Sequence, residues 1–174
     1  MGQENLSKWA EELRVRSVAE WERLPEIELY MDQVVGYMEQ QLRPVQPHDE
    51  TKLLTASMVN NYVKESVLPR PNGKKYTREH MAMLMMICMM KPVLSISESK
   101  VLIDAIQAAY GLPDGYKKFA SISDSVMQDM LAEVNTAGEQ SKEARLDLAL
   151  QCAAKANALK LAAAKLIKSF ADEE

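Results

Sequence analysis

Apolar side chains recur at helical spacing along nearly the whole chain. Leu6, Trp9, Ala10 and Leu13 fall at i, i+3, i+4 and i+7, and beyond Pro25 the set Ile27, Tyr30, Met31, Val34, Met38 and Leu42 keeps the same period. Pro25 suits the first turn of that second helix, where its missing N–H would have no intrahelical acceptor anyway. Pro44 and Pro47 stop the helix, and residues 43–50 read as a connector.

Beyond residue 50, capping and turn residues divide the chain. Thr55 is a plausible N-cap for a short helix running to about Lys64, and residues 68–73, Leu-Pro-Arg-Pro-Asn-Gly, form a turn-rich loop. The few residues around Lys74 to Tyr76 carry the one extended pattern. Thr77 can cap a helix over 78–90, Pro92 ends it, and Ser95 with Glu98 makes a capping box for a further helix through Tyr110. Leu112-Pro113-Asp114-Gly115 reads as a second break, with Ser123 starting a helix through Val134.

From 138 to 170 the chain is rich in alanine and leucine. Leu146, Leu150, Ala153, Ala154, Leu161 and Ala164 lie on one line of a helix, and Leu148, Cys152, Leu159, Leu166 and Phe170 on another. One helix of ~45 Å, at ~1.5 Å per residue, accounts for both. Because apolar residues cover more than one face, such a helix has to bury itself against two neighbours or a second subunit. The fold class is therefore all-α, in three stretches: an acidic N-terminal helical segment over 1–50, a central segment over 51–110, and a C-terminal helical segment over 111–174.

Composition narrows the class further. The chain has 174 residues, 47% hydrophobic and 26% charged, enough to bury a core without staples. Cys88 and Cys152 sit in apolar helical patterns far apart and lack metal-ligand spacing, which fits a reducing, cytoplasmic setting. The N-terminus carries no secretory pattern, and the apolar run over 81–90 spans about half a bilayer core, so a buried helix is expected there. Its methionines, Met81, Met83, Met85, Met86, Met89 and Met90, are expected to be flexible core filler, with Cys88 among them.

Charge supplies the first functional lead. Residues 51–80 hold Lys52, Lys64, Arg70, Lys74, Lys75 and Arg78 against Glu65 and Glu79, a local +4 in a chain whose net charge is −4. Such a reversal is an electrostatic footprint for a polyanion, and it makes DNA the first partner to consider. The acidic residues 1–50, net −6, are expected to face away from DNA or to engage a protein partner. His48 and His80 lack a second ligand at i+3 or i+4, and a lone helix-start histidine such as His80 is expected at the surface. No acid and base pair or glycine-rich phosphate loop stands out, so no enzyme, metal or organic cofactor is expected.

Residues 59–71, Val-Asn-Asn-Tyr-Val-Lys-Glu-Ser-Val-Leu-Pro-Arg-Pro, resemble the second helix and exit loop of the MerR-type winged helix-turn-helix regulators. Lys74-Lys75-Tyr76-Thr77 falls at their wing exit, residues 82–87 at the subsequent helix, and Leu94-Ser95-Ile96-Ser97-Glu98 at the start of the next one. The resemblance covers about 50 of the 174 residues. It is closer still to a family of uncharacterised Gram-positive bacterial proteins that share the Leu-Thr, Asn-Tyr-Val-Lys, Lys-Lys-Tyr and Leu-Ser-Ile signatures. Three positions depart from the MerR-type pattern. Asn60 stands in place of a phosphate-contacting arginine, Ser66 stands in place of the turn glycine and serves there as long as φ stays negative, and the wing is about five residues shorter.

What the resemblance implies is a MerR-like helix-turn-helix with a reduced wing that binds double-stranded DNA and regulates transcription. The helix capped by Thr55 would enter the major groove, with Ser57, Asn60 and Asn61 as donors to base edges or phosphates and Lys64 at the backbone. Lys74, Lys75 and Arg78 would meet phosphates, and Tyr62 is either a phosphate contact, which is preferred, or a core aromatic. Family members are dimers joined by a long helix, a part the helix over 138–170 can play. The alternative is a protein-interaction module that kept the scaffold and no longer binds DNA. Exposure separates the two, since a DNA reader must present Asn60, Asn61 and Lys64 on one solvent face and an interaction module an apolar patch.

Overall fold

In the computed structural model, which describes residues 6, 8–11, 13, 18–43, 53–138 and 140–171, Pro25 does not open the second helix. Proline pushes the residue before it out of helical geometry, and Leu24 accordingly ends the short 3-10 turn Trp21–Arg23 in an extended conformation, φ −65° and ψ 144°. The chain stays extended through β1, Leu29–Tyr30, and α1 begins only at Met31 (Met31–Leu42). Tyr30 N–H donates to Gln33 Oε1 at 2.9 Å, satisfying one of the amides a helix start leaves unpaired. Ile27 and Tyr30, which their spacing placed on the helix, are instead exposed. The connector over 44–50 and Lys52 lie outside the described residues.

The other elements are α2 (Ala56–Lys64), β2 (Lys75–Tyr76), α3 (Arg78–Met90), α4 (Ile96–Tyr110), α5 (Leu112–Gly138) and α6 (Lys142–Ala171). The protein is thus predominantly all-α, with β1 and β2 pairing antiparallel, Leu29 opposite Tyr76 and Tyr30 opposite Lys75. Chain contacts define two compact units, one from Ala19 to Ala120 and one made of 1–18 with 121–174.

In the 19–120 unit α1 packs on α2 and α3, and α3 on α4. From His80 to Cys88 every residue of α3 is buried, so this is the central helix of the unit. The methionines Met81, Met83, Met85 and Met86 are core filler as expected, and Cys88 lies with them, its thiol pushed up to about 12 chiefly by burial. Val34, Met38 and Leu42 turn the inner face of α1 toward this core. Tyr116 closes the unit: wholly buried, it donates its hydroxyl to the Ala19 carbonyl at 2.7 Å and meets Trp21 edge-on at 6.0 Å.

Three helix starts follow the capping chemistry, at Thr55, Thr77 and Ser95, and the one expected at Ser123 does not. Thr55 Oγ1 accepts from Met58 N–H at 3.2 Å, and Ser95 with Glu98 forms the reciprocal box, 3.2 and 2.8 Å. The break expected over 112–115 is confined to Gly111, whose φ of 72° suits glycine. Pro113 fits the first turn of α5, and Gly115 is a packing residue, since a Cβ there would overlap Ile106 Cγ2. Consequently α5 is continuous from Leu112, with no fresh start at Ser123.

α2 ends in a Schellman motif. Val67 N–H reaches Tyr62 O at 2.9 Å and Ser66 N–H reaches Val63 O at 3.2 Å, with Val67 and Tyr62 both buried. That motif needs a left-handed residue, and Ser66 supplies it at φ 56°, so the serine is strained where φ was expected to stay negative. Ser66→Gly is expected to stabilise the unit by about 1 kcal/mol, because relief of the left-handed penalty exceeds the added freedom of the unfolded chain. A urea midpoint that falls, or does not move, would contradict this.

The second unit has its own small core, with Ala10, Leu13 and Leu131 buried and Trp9, Met127 and Met130 packed against them. Leu6, Trp9, Ala10 and Leu13 are all helical, as their spacing predicts. Val18 N–H donates to Asp124 Oδ1 at 3.2 Å. α6 is one helix, as expected, but Ile167 is the one buried residue along it among those described, and Leu146, Leu150, Leu159, Leu161 and Leu166 are all exposed.

Candidate functional site

On a helix, positions 57, 60, 61 and 64 stand at i, i+3, i+4 and i+7 and share one face, whereas 59 and 62 share the opposite one. α2 follows that division. Val59 and Tyr62 are buried, and Ser57, Asn60, Asn61 and Lys64 form an exposed stripe. The stripe is polar throughout, α2 contains no acidic residue, and among the described residues no large apolar side chain is exposed on it. Thr55 is half-buried and spends its hydroxyl on the helix cap.

Tyr62 is not a phosphate contact. It packs in the core, and its hydroxyl is pushed up to about 12, mainly by burial and secondarily by Cys88. The i, i+3 relation to Val59 carried that information, because two such residues face inward together.

After the Leu68–Arg70 stretch, where a reduced wing was expected, the chain reverses in a two-residue turn. Asn72 and Lys75 exchange backbone hydrogen bonds of 3.1 and 2.9 Å, and the residues between them, Gly73 and Lys74, both have positive φ, 53° and 70°, as in a type I′ hairpin turn. Lys74 is exposed at this tip. Lys75 and Arg78 point elsewhere. Arg78 Nη2 lies 2.9 Å from Glu26 Oε1 with its guanidinium 5.8 Å from the Trp21 ring, and Lys75 Nζ lies 3.8 Å from Glu28 and 5.7 Å from the Tyr30 ring. The pairing of β1 with β2 brings these groups together.

Two residues of the acidic N-terminal segment, Glu26 and Glu28, therefore each occupy one cation of the basic cluster. What remains free is Lys64, Arg70 and Lys74, none of which has an ion-pair partner among the described residues. A further cation was not singled out by sequence reasoning. Lys91, at the C-terminal end of α3, is exposed and reaches Met58 Sδ at 4.0 Å, so it sits beside the first turn of α2. No local pattern pointed to it, because the contact joins residues 33 apart.

His80, expected at the surface, is buried. Its Nδ1 accepts the Thr77 amide proton at 3.1 Å, closing the first turn of α3 in the place a Glu or Gln usually takes, and the ring meets Tyr76 edge-on at 5.4 Å. Burial lowers its pKa from the ordinary imidazole value, against the backbone of Arg70 and Pro69, which favours protonation. Above about pH 6.5 both folded and unfolded chains hold a neutral imidazole; below it the unfolded chain binds the proton first. Stability is thus expected to fall as pH drops from about 6.5 toward the lower folded pKa, then to level. His80→Gln retains an acceptor for Thr77 and should flatten that decline in melting temperature; an unchanged slope would remove His80 as its source. Glu79 beside it is held below its ordinary value, chiefly by the Thr77 hydroxyl.

Among the described residues no group of three or more His, Cys, Asp or Glu converges so as to hold a metal ion, and no helix is long and apolar enough to cross a membrane. A family model described as "Domain of unknown function (DUF1836)" matches residues 19–119, almost the same span as the 19–120 unit. No curated protein and no solved structure matches the chain.

Proposed function

The chain belongs to the DUF1836 family, whose description assigns no activity, and from its own surface we propose that it is a sequence-specific DNA-binding transcriptional regulator of MerR-like type, working in the cytoplasm as a homodimer. The observation that carries this is the exposed stripe of α2, Ser57, Asn60, Asn61 and Lys64, polar from end to end, with Lys91 beside its first turn and Arg70 beside Lys64 at its other end. A short helix of this kind enters the major groove with its stripe toward the base edges. Asn60 and Asn61 then pair with adenine N6 and N7, Ser57 donates to a base edge or phosphate, and the flanking cations set the helix on the backbones.

Dimerisation places two such helices on half-sites about one helical turn apart, or multiples of it. α6 is the element for it, because a helix of 30 residues with its leucines in solvent has apolar area to bury against a copy of itself.

The test is fluorescence anisotropy with a random-sequence duplex library across a salt series. Wild-type protein should bind in the micromolar range, weakening with salt, and Lys64→Ala and Lys74→Ala should each lower the slope by roughly one phosphate contact. No binding at low salt would end the DNA reading. The second reading, an interaction module on the same scaffold, is favoured by one observation, the capture of Arg78 and Lys75 by Glu26 and Glu28, which removes two cations from the polyanion surface.

A further inference from the structure

Where α2 hands over to its exit loop, the 19–120 unit leaves a cleft of about 240 Å³ facing α4. Val63 and Pro69 give its lining apolar surface, and its rims carry Lys64 and Arg70 on one side and Asp104 and Gln107 on the α4 side. We propose that this cleft binds a small organic acid, a carboxylate on an apolar body of about ten non-hydrogen atoms.

The charge pattern selects an anion. Lys64 and Arg70 are exposed and unpaired among the described residues, whereas the one carboxylate on the rim, Asp104, is already neutralised by Lys100 one helical turn away. Two free cations over a compensated acid leave the mouth of the cleft positive, and a planar guanidinium beside an ammonium matches the two oxygens of a carboxylate. The lining selects against a bare inorganic anion, because Val63 and Pro69 offer apolar surface that only an apolar body can cover. The volume sets the size: about 240 Å³ lies below the range of about 300–1,000 Å³ usual for drug-sized ligands, hence a ring or short branched chain and not a nucleotide.

Lys64 serves two surfaces. Its Cα lies on the exposed stripe of α2 and its side chain lines the cleft, so a bound carboxylate would withdraw one cation from the DNA-facing side. That coupling rests on the DNA reading; the cleft itself does not.

The experiment titrates ¹⁵N-labelled full chain with benzoate, following amide shifts, with benzamide and inorganic phosphate as controls. Saturable shifts over residues 63–70, 104 and 107 are expected, with binding at least about tenfold weaker for benzamide and for phosphate, and about tenfold weaker to benzoate in Lys64→Ala and Arg70→Ala. Both variants alter exposed side chains, so they should keep the wild-type spectrum elsewhere. Shifts that never saturate, benzamide or phosphate binding as well as benzoate, or variants that bind as wild type would each overturn the site. The salt-dependent anisotropy is then repeated with benzoate present. If the chain binds benzoate but not DNA, the cleft stands and the regulatory coupling falls; if DNA binds and benzoate does not, the cleft falls alone.

Discussion

Replacing Tyr116 with alanine is expected to cost the 19–120 unit about 3–5 kcal/mol, the usual range for deleting a buried aromatic. The ring is wholly buried, touches Trp21 and Phe119 at 6.0 and 6.2 Å, and ties residue 116 to Ala19 across 97 positions of sequence. Tyr116→Phe separates the two contributions. It keeps the packing and strands the buried Ala19 carbonyl, for about 1–3 kcal/mol. At the low end of the usual total stability of about 5–15 kcal/mol, the alanine variant should populate the unfolded state at physiological temperature more than the phenylalanine variant does. Urea unfolding measures both, and equal midpoints for wild type and Tyr116→Ala would show that Tyr116 does not close the unit. The neighbouring Lys117 and Glu22 pair, 2.7 Å apart but solvent-exposed, is no substitute for the clasp.

The second large effect concerns assembly. Leu150 and Leu161 are each 62% exposed, so Leu150→Glu with Leu161→Glu removes little from the core of the subunit and should leave it folded. If α6 joins two copies, the double variant sediments as a monomer. Its affinity for a palindromic site then drops about 10²–10⁴-fold, because the second recognition helix no longer arrives at the effective concentration that linkage provides. Affinity for an isolated half-site should stay where it was. A wild-type chain that is itself monomeric at working concentration, or a variant that binds the palindrome as wild type does, would remove α6 from DNA binding.

Much of the fold was legible because its causes are local. Thr55, Ser95 and Glu98 announce helix starts by reaching their own first turn, and the run from His80 to Cys88 is too apolar on every side for a surface helix. The stripe of α2 was legible too, since Ser57, Asn60, Asn61 and Lys64 share a face by spacing alone. The errors lie where distant partners decide. Helical spacing over Ile27 and Tyr30 yielded to the pairing of Leu29–Tyr30 with Lys75–Tyr76, a contact between segments some 46 residues apart. That same ladder delivers Glu26 and Glu28 to Arg78 and Lys75, which no charge count over a window can foresee. Leu112 to Gly115 misled because proline and glycine mark turns on average, whereas here one tolerates a first turn and the other lets α5 approach Ile106. His80 was misplaced for a similar reason, as its burial depends on Tyr76 and the backbone of Pro69 and Arg70.

The sulfur chemistry of α3 has a bearing on how the protein ages. Met81, Met85 and Met86 are sealed from solvent, so peroxide reaches their thioethers only when the helix is released from the core. A sulfoxide formed during such an excursion is polar and cannot return to the site it left. Oxidation in this segment is therefore a ratchet: each oxidised opening withdraws one molecule from the native pool, and repair depends on a reductase meeting the chain while it is still open.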